Sequence, residues 1–154
     1  VFHGHADFLN LPLYIPDDYV RNALCNDANN SVILKKGIFC DKVIASIGTM
    51  GKIRESDYWR GSMPPEIYKD LVEKGACGSI LGRFFDANGQ ELACDWNEKS
   101  ISLSIQQLCN ISDVVIVASP VSKAPALLAA LKGDFINTLI TDGTTATRIL
   151  NEAK

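Results

Sequence analysis

Histidine is nearly missing from this chain: two occur, His3 and His5, both at the N-terminal end. Ser–His or Cys–His nucleophilic catalysis would have to use those end residues, which is a poor place for a preorganised site. His3-x-His5-x-Asp7 has a spacing that metals accept, but three residues at a chain end make no cage, and no metal is expected. Five cysteines stand at 25, 40, 77, 94 and 109 without a C-x-x-C pair; an odd number inside apolar runs reads as reduced thiols in a cytoplasmic protein. No run approaches the roughly 20 apolar residues of a membrane span. The first residues have neither a basic start nor a long apolar core, which excludes a signal peptide there. Basic excess is missing too: net charge is −3 with scattered Lys and Arg, so this stretch is not expected to grip nucleic acid itself. There is no P-loop, no G-x-G-x-x-G, no internal repeat and no low-complexity segment. The chain opens on Val1 rather than Met, which reads as an excised or processed piece.

What is present is a core-forming sequence. Of 154 residues, 47% are hydrophobic and 21% charged, enough for one globular domain over the whole length. Leu11–Ile15 reads as a short strand closed by Pro16, and Asp17 as the cap of a helix from Asp18 to about Cys25. Ser31–Lys36 reads as a short helix ended by Gly37, and Lys42–Ile47 as one buried parallel strand. Residues 52–63 read as a polar loop bearing Arg54, Tyr58, Trp59 and Arg60. A helix opens at Pro64-Pro65 and stops at Gly75. Cys77–Phe85 is strand-like, Asp86–Gly89 a turn, and Gln90–Cys94 a returning hairpin strand. Ile101–Leu108 reads as a short helix. Two strand–helix units close the chain, with strands at Val114–Ala118 and Leu139–Thr141. The alternation predicts an α/β fold, a Rossmann-like and mainly parallel sheet flanked by helices, with a small β-hairpin insertion.

Ligands of open α/β sheets bind beyond the carboxyl ends of the strands. Four such ends are readable: Pro16, Gly48-Thr49, Ala118-Ser119 and Thr141-Asp142. Lys123 follows its strand by five positions, at the start of a helix spanning Lys123–Leu131. Free N–H groups, the positive dipole end and an ammonium together suit phosphate; a solvated lysine is the plain alternative. Gly48-Thr49-Met50-Gly51 lets a ligand approach backbone, or is an ordinary turn. Asp142 sits at a helix N-cap and, beyond capping, is placed to accept from a sugar hydroxyl. Asp86 is most simply the first residue of a turn.

Taken in order, several segments resemble the effector-binding domain of the SorC family of bacterial sugar-responsive transcriptional regulators, related to DeoR-type sensor domains. Residues 74–89, KGACGSILGRFFDANG, resemble the family's G-A-V-G-D/E-I-x-G-x-F-F-D-x-x-G. Residues 117–127, VASPVSKAPAL, resemble V-A-G-G-x-x-K-A-x-A-I, and residues 138–146, TLITDGTTA, resemble x-L-V-T-D-E-x-T-A. Ala45–Gly48 matches a strand ending in G-I-G, and Leu13–Pro16 an L-Y-A-P segment. The resemblance runs from Leu11 to Ala153. It implies a fold similar to the sugar-phosphate isomerases, a phosphorylated sugar at the strand ends, and a phosphate contact from Lys123. Beside it, the strand ends offer Gly48, Thr49, Ser119 and Asp142 as further candidate ligand contacts, Ser79 stands where the family has a sugar-contacting acid, and Arg60 is a candidate second positive charge should its loop close over the ligand. The resemblance implies no cofactor and no catalysis. Residues 1–154 then form an effector domain without the family's first βαβ unit and without its N-terminal helix-turn-helix, so DNA would be reached only through a domain outside this stretch. The chain departs from the pattern at Ser79, where the family has an acid, at Ser119-Pro120 in place of Gly-Gly, and at Gly143 in place of Glu.

Three functions compete. A ligand sensor would bias an oligomer and so the spacing of attached DNA-binding domains. An isomerase-like enzyme would need a general base, for which Asp86 and Asp142 are the carboxylates available. An oligomerising domain would use the Tyr58-Trp59-Arg60 segment as an interface. The motif series and Lys123 favour the sensor, with a homo-oligomer and a sugar or phosphorylated sugar as partners.

Overall fold

The computed structural model describes residues 3–53 and 55–154; the side chains of Asp57, Tyr58 and Arg60 also lie outside the described residues. In chain order the elements are α1 (Asp18–Cys25), α2 (Ala28–Ile38), β1 (Lys42–Ala45), β2 (Ile47–Thr49), α3 (Met50–Ile53), α4 (Asp57–Ser62), α5 (Pro65–Glu73), β3 (Gly78–Ile80), β4 (Arg83–Phe85), α6 (Asp95–Lys99), α7 (Ile105–Cys109), β5 (Asp113–Val117), α8 (Ala124–Lys132), β6 (Thr138–Ile140) and α9 (Gly143–Glu152). A 3-10 turn, Val121–Lys123, leads into α8.

Two small sheets divide the strands. β1, β5 and β6 form a parallel sheet in the order β1-β5-β6, with Val43 beside Val114 and Ile116 beside Leu139. β2, β3 and β4 form an antiparallel sheet. Alternation along β5 sends Val114 and Ile116 into the main core, where they meet Ala126, Leu127, Ala129 and Ala130 of α8. The opposite face of the parallel sheet is bare: Ile44 is 70%, Val117 47% and Ile140 53% exposed. Parallel sheets are ordinarily covered on both faces.

The long apolar run expected as one strand, Lys42–Ile47, is cut at Ser46. The chain leaves the parallel sheet after Ala45, which pairs with Ile116, and enters the antiparallel sheet at Ile47, which pairs with Ile80. Both halves are apolar because both sheets bury them, so hydropathy does not mark the break. Cys77–Phe85 is a tight hairpin, not one strand: Ile80 pairs with Arg83 across Leu81 and Gly82, whose φ angles are 49° and 82°. Two successive left-handed residues are what a two-residue hairpin turn requires.

The returning strand expected at Gln90–Cys94 is reduced to one bridge, Phe85 with Glu91. Backbone pairing there is short, with the Leu92 N–H donating to the Phe84 carbonyl and the Asp86 N–H to the Gln90 carbonyl, both at 3.0 Å, and a side chain extends it. Buried Asn97 accepts from the Phe84 N–H at 2.9 Å and donates to the Phe84 and Leu92 carbonyls at 2.8 and 2.9 Å. Asn97 lies on α6, which the sequence pattern does not announce. Leu11–Ile15 is likewise no sheet strand; Tyr14 makes a single bridge to Ser100 and stacks on Trp96 at 4.5 Å. The segment 52–63 contains α4 rather than being loop throughout. The helix expected at Ile101–Leu108 starts only at Ile105, capped by Ser104, and α2 begins earlier than Ser31 because Asp27 caps it.

A second core fills the space under the antiparallel sheet, with Phe84, Trp96, Leu71, Ile53, Met63 and Cys94. Trp96 is fully buried and donates from Nε1 to the Gly82 carbonyl at 2.8 Å. Arg83 ties this unit to the following segment through Glu91 at 3.0 Å and the Ser100 and Ser102 carbonyls at 3.1 and 3.0 Å.

Candidate ligand-binding site

The parallel strands β5 and β6 end side by side. The Ala118 N–H donates to the Ile140 carbonyl at 3.0 Å, and Thr141 Oγ1 donates to the Ala118 carbonyl at 2.6 Å. Each end is followed at once by a helix start, so N–H groups of two helices point toward one edge. A cleft of about 250 Å³ lies there, lined by Ser46, Ser119, Lys123, Thr141 and Asp142 among others.

Lys123 is presented by the 3-10 turn, whose form is fixed by the Lys123 N–H donating to the Pro120 carbonyl at 2.9 Å. Its ammonium donates to Ser46 Oγ at 3.1 Å, and among the described residues it has no carboxylate partner. Asp142 caps α9 as the sequence predicts: Oδ1 accepts from the Thr145 N–H at 2.9 Å, and Oδ2 accepts from the Thr145 hydroxyl at 2.7 Å. The Ser119 hydroxyl donates to the same Oδ2 at 2.8 Å. The Thr145 hydroxyl, then its N–H, then the Ser119 hydroxyl hold the Asp142 carboxyl down at about 2. The cleft therefore carries one firm negative charge and one positive charge that has no carboxylate partner among the described residues.

Of the sequence candidates, Lys123, Ser119 and Asp142 are brought together. Gly48, Thr49 and Ser79 are not part of this cleft. They sit on β2 and β3, where Gly48 faces Ser79 in register and Thr49 faces Gly78. A Cβ on Gly48 would lie 2.5 Å from Ser79 Oγ, so the cross-strand serine crowds this position. β2 does pack against the Val121–Lys123 turn, so the two regions adjoin. Pro16 is not at the end of a sheet strand. Arg60 lies outside the described side chains. Asp86 makes its turn, accepting from the Asn88 and Gln90 N–H groups at 2.8 and 2.9 Å.

One residue of the cleft was not foreseen. Ser46 stands at the crossing from one sheet to the other, and its tie to Lys123 spans 77 positions of sequence. The visible signal was a lone hydroxyl inside an apolar strand run, at the carboxyl end of a parallel strand.

A family model described as "Putative sugar-binding domain" matches residues 1–151. The chain belongs to this sugar-binding domain family. Among other members, a transcriptional regulator LsrR of Enterobacter sp. (strain 638) is 29% identical over 141 residues, 90% of this chain and 44% of that protein. A DeoR family transcriptional regulator from Listeria monocytogenes has a solved structure with a TM-score of 0.86 at 29% identity, covering 94% of this chain and 58% of that one. The full-length sorbitol operon regulator SorC from Klebsiella pneumoniae gives 0.82 at 26% identity, covering 94% of this chain and 45% of that one. This sugar-binding domain thus spans about half the length of the relatives it matches.

Proposed function

We propose that this domain is the ligand sensor of a bacterial transcriptional regulator. It binds a sugar or phosphorylated sugar, with the phosphate at Lys123. The observation that carries the reading is the cleft itself: an ammonium with no carboxylate partner among the described residues, at the strand ends of a parallel sheet, in a sugar-binding domain. Ser119 and Asp142 line the sugar side; Gly48, Thr49 and Ser79 lie on the adjoining β2 and β3, outside the cleft.

No cofactor and no chemistry are needed. Asp142 is a poor general base because a carboxyl held at about 2 lies far from a working pH near neutrality. Regulation follows from linkage: a ligand that prefers one arrangement of a homo-oligomer shifts it, and with it the DNA-binding domains of a longer cytoplasmic protein. The bare face of the parallel sheet and the half-length match to relatives support a further βαβ unit in that longer protein, with its helix over Ile44, Val117 and Ile140.

Thermal shift against sugars and their phosphate esters tests the sensor. Stabilisation is RT ln(1 + [L]/Kd), about 2.7 kcal/mol at a hundredfold excess over Kd. At least one phosphate ester raises the melting temperature while its unphosphorylated parent does not. A flat panel in both this stretch and a longer chain carrying the proposed βαβ unit refutes the reading.

A further inference from the structure

Donors and acceptors are segregated in the cleft. Lysine ammonium only donates, so in the Lys123–Ser46 contact the serine oxygen accepts, at 3.1 Å. The Ser46 hydroxyl hydrogen is then free to point elsewhere, and among the described residues it has no acceptor. The other two N–H bonds of Lys123 likewise have no acceptor among the described residues. Donors dominate this end of the cleft. At the other end the Ser119 hydroxyl hydrogen is spent on Asp142, at 2.8 Å, which leaves oxygen lone pairs facing outward. Asp142 is ionised and, with three contacts accepted, retains acceptor capacity at its carboxylate. That end accepts and repels anions.

Resting on the phosphate reading above, we propose that Ser46 is a second anchor of the anion held by Lys123. We infer with it that the cleft is polarised from a donor end, Ser46 and Lys123, to an acceptor end, Ser119 and Asp142. A polarised cleft of about 250 Å³ takes a short ligand in one orientation: phosphate on Lys123 and Ser46, a free hydroxyl donating toward Ser119 and Asp142. A ligand with phosphate at both ends meets the Asp142 charge and is rejected. Ser46 also stands where the chain passes between the two sheets, so an anion held there touches the junction between them.

Titration calorimetry tests this with three probes: inorganic phosphate, glycerol 3-phosphate and propane-1,3-diol bisphosphate. Thermal melts first establish that each variant is folded. Glycerol 3-phosphate binds the unaltered protein, and the bisphosphate binds about tenfold more weakly, as expected for one like-charge contact. Ser46→Ala weakens inorganic phosphate and glycerol 3-phosphate alike by about tenfold, the loss of one charge-assisted hydrogen bond, and Ser46→Thr restores both. Asp142→Asn keeps the helix cap and narrows the gap between mono- and bisphosphate. If Lys123→Ala loses phosphate while Ser46→Ala binds as before, the Ser46 anchor is wrong and the phosphate reading stands. If the bisphosphate binds as well as the monophosphate, the polarity is wrong. If no probe binds, or neither Ser46→Ala nor Lys123→Ala changes binding, the phosphate reading itself fails.

Discussion

Asp142 does two jobs with one carboxylate, and its acidity records the first of them. The fold holds the charged form, so its folded value, about 2, lies below the ordinary 3.8. The stability this contributes is therefore complete above pH 4 and lost as pH falls from about 4 toward 2. Asp142→Asn retains a capping oxygen but cannot be protonated in this range. Its melting temperature should fall less steeply than that of the unaltered protein between pH 4 and 2; equal slopes would mean that the contacts from Thr145 and Ser119 do not hold the carboxylate. The capping role was legible because a cap is local: acid, then two residues, then the N–H it accepts from. The placement of Lys123 just before a helix was legible for the same reason. Ser46 was not, since nothing near it in sequence says that a lysine 77 positions away reaches back to its hydroxyl.

At the scale of elements, the closing strand–helix pairs were readable and the middle of the chain was not. β5, α8, β6 and α9 follow local rules of hydropathy, capping and strand length. The outer edge of the antiparallel sheet is completed by a side chain, Asn97, and periodicity is blind to that. Asn97→Ala removes the side-chain partner of the Phe84 amide and of the Leu92 carbonyl, while the Phe84 carbonyl keeps the Leu92 N–H. Groups left buried without partners cost about 1–3 kcal/mol each, so urea unfolding should show a loss of at least ~2 kcal/mol. Asn97→Ala with native stability would remove this side chain as the organiser of the β4 edge. The β3–β4 turn holds the opposite kind of error. Leu81 adopts φ 49°, a left-handed conformation that costs a branched side chain about 1 kcal/mol and asparagine much less. Leu81→Asn should raise stability by about that amount, roughly 3 °C in melting temperature for a domain of this size. Gly89 also sits at positive φ, 76°, and a Cβ there would lie 2.4 Å from the Ala129 carbonyl oxygen, so this glycine is held by α8 rather than by a ligand.

For the whole molecule, the feature that matters most is the uncovered side of the parallel sheet. Ile44, Val117 and Ile140 lie on one face by register, Ile44 beside Val115 and Val117 beside Ile140. Composition hides this, because buried and bare apolar residues read alike. The environment-sensitive dye 1-anilinonaphthalene-8-sulfonate should bind this stretch and lose its signal in Ile44→Ser/Ile140→Ser. In a longer protein carrying the proposed covering unit, the dye should bind weakly and the same pair of changes should destabilise the fold. Equal dye binding in both forms would mean that the face stays open to solvent.

Phosphate recognition in this cleft rests on one lysine, Lys123, beyond the end of one strand. Calorimetric titration of the phosphate ester that most raises the melting temperature, into the unaltered protein and Lys123→Ala, tests it directly. A charge-assisted contact predicts a loss of about ten- to a hundredfold in affinity, with little change for the unphosphorylated sugar. Equal affinity of the two proteins for the phosphate ester would contradict it.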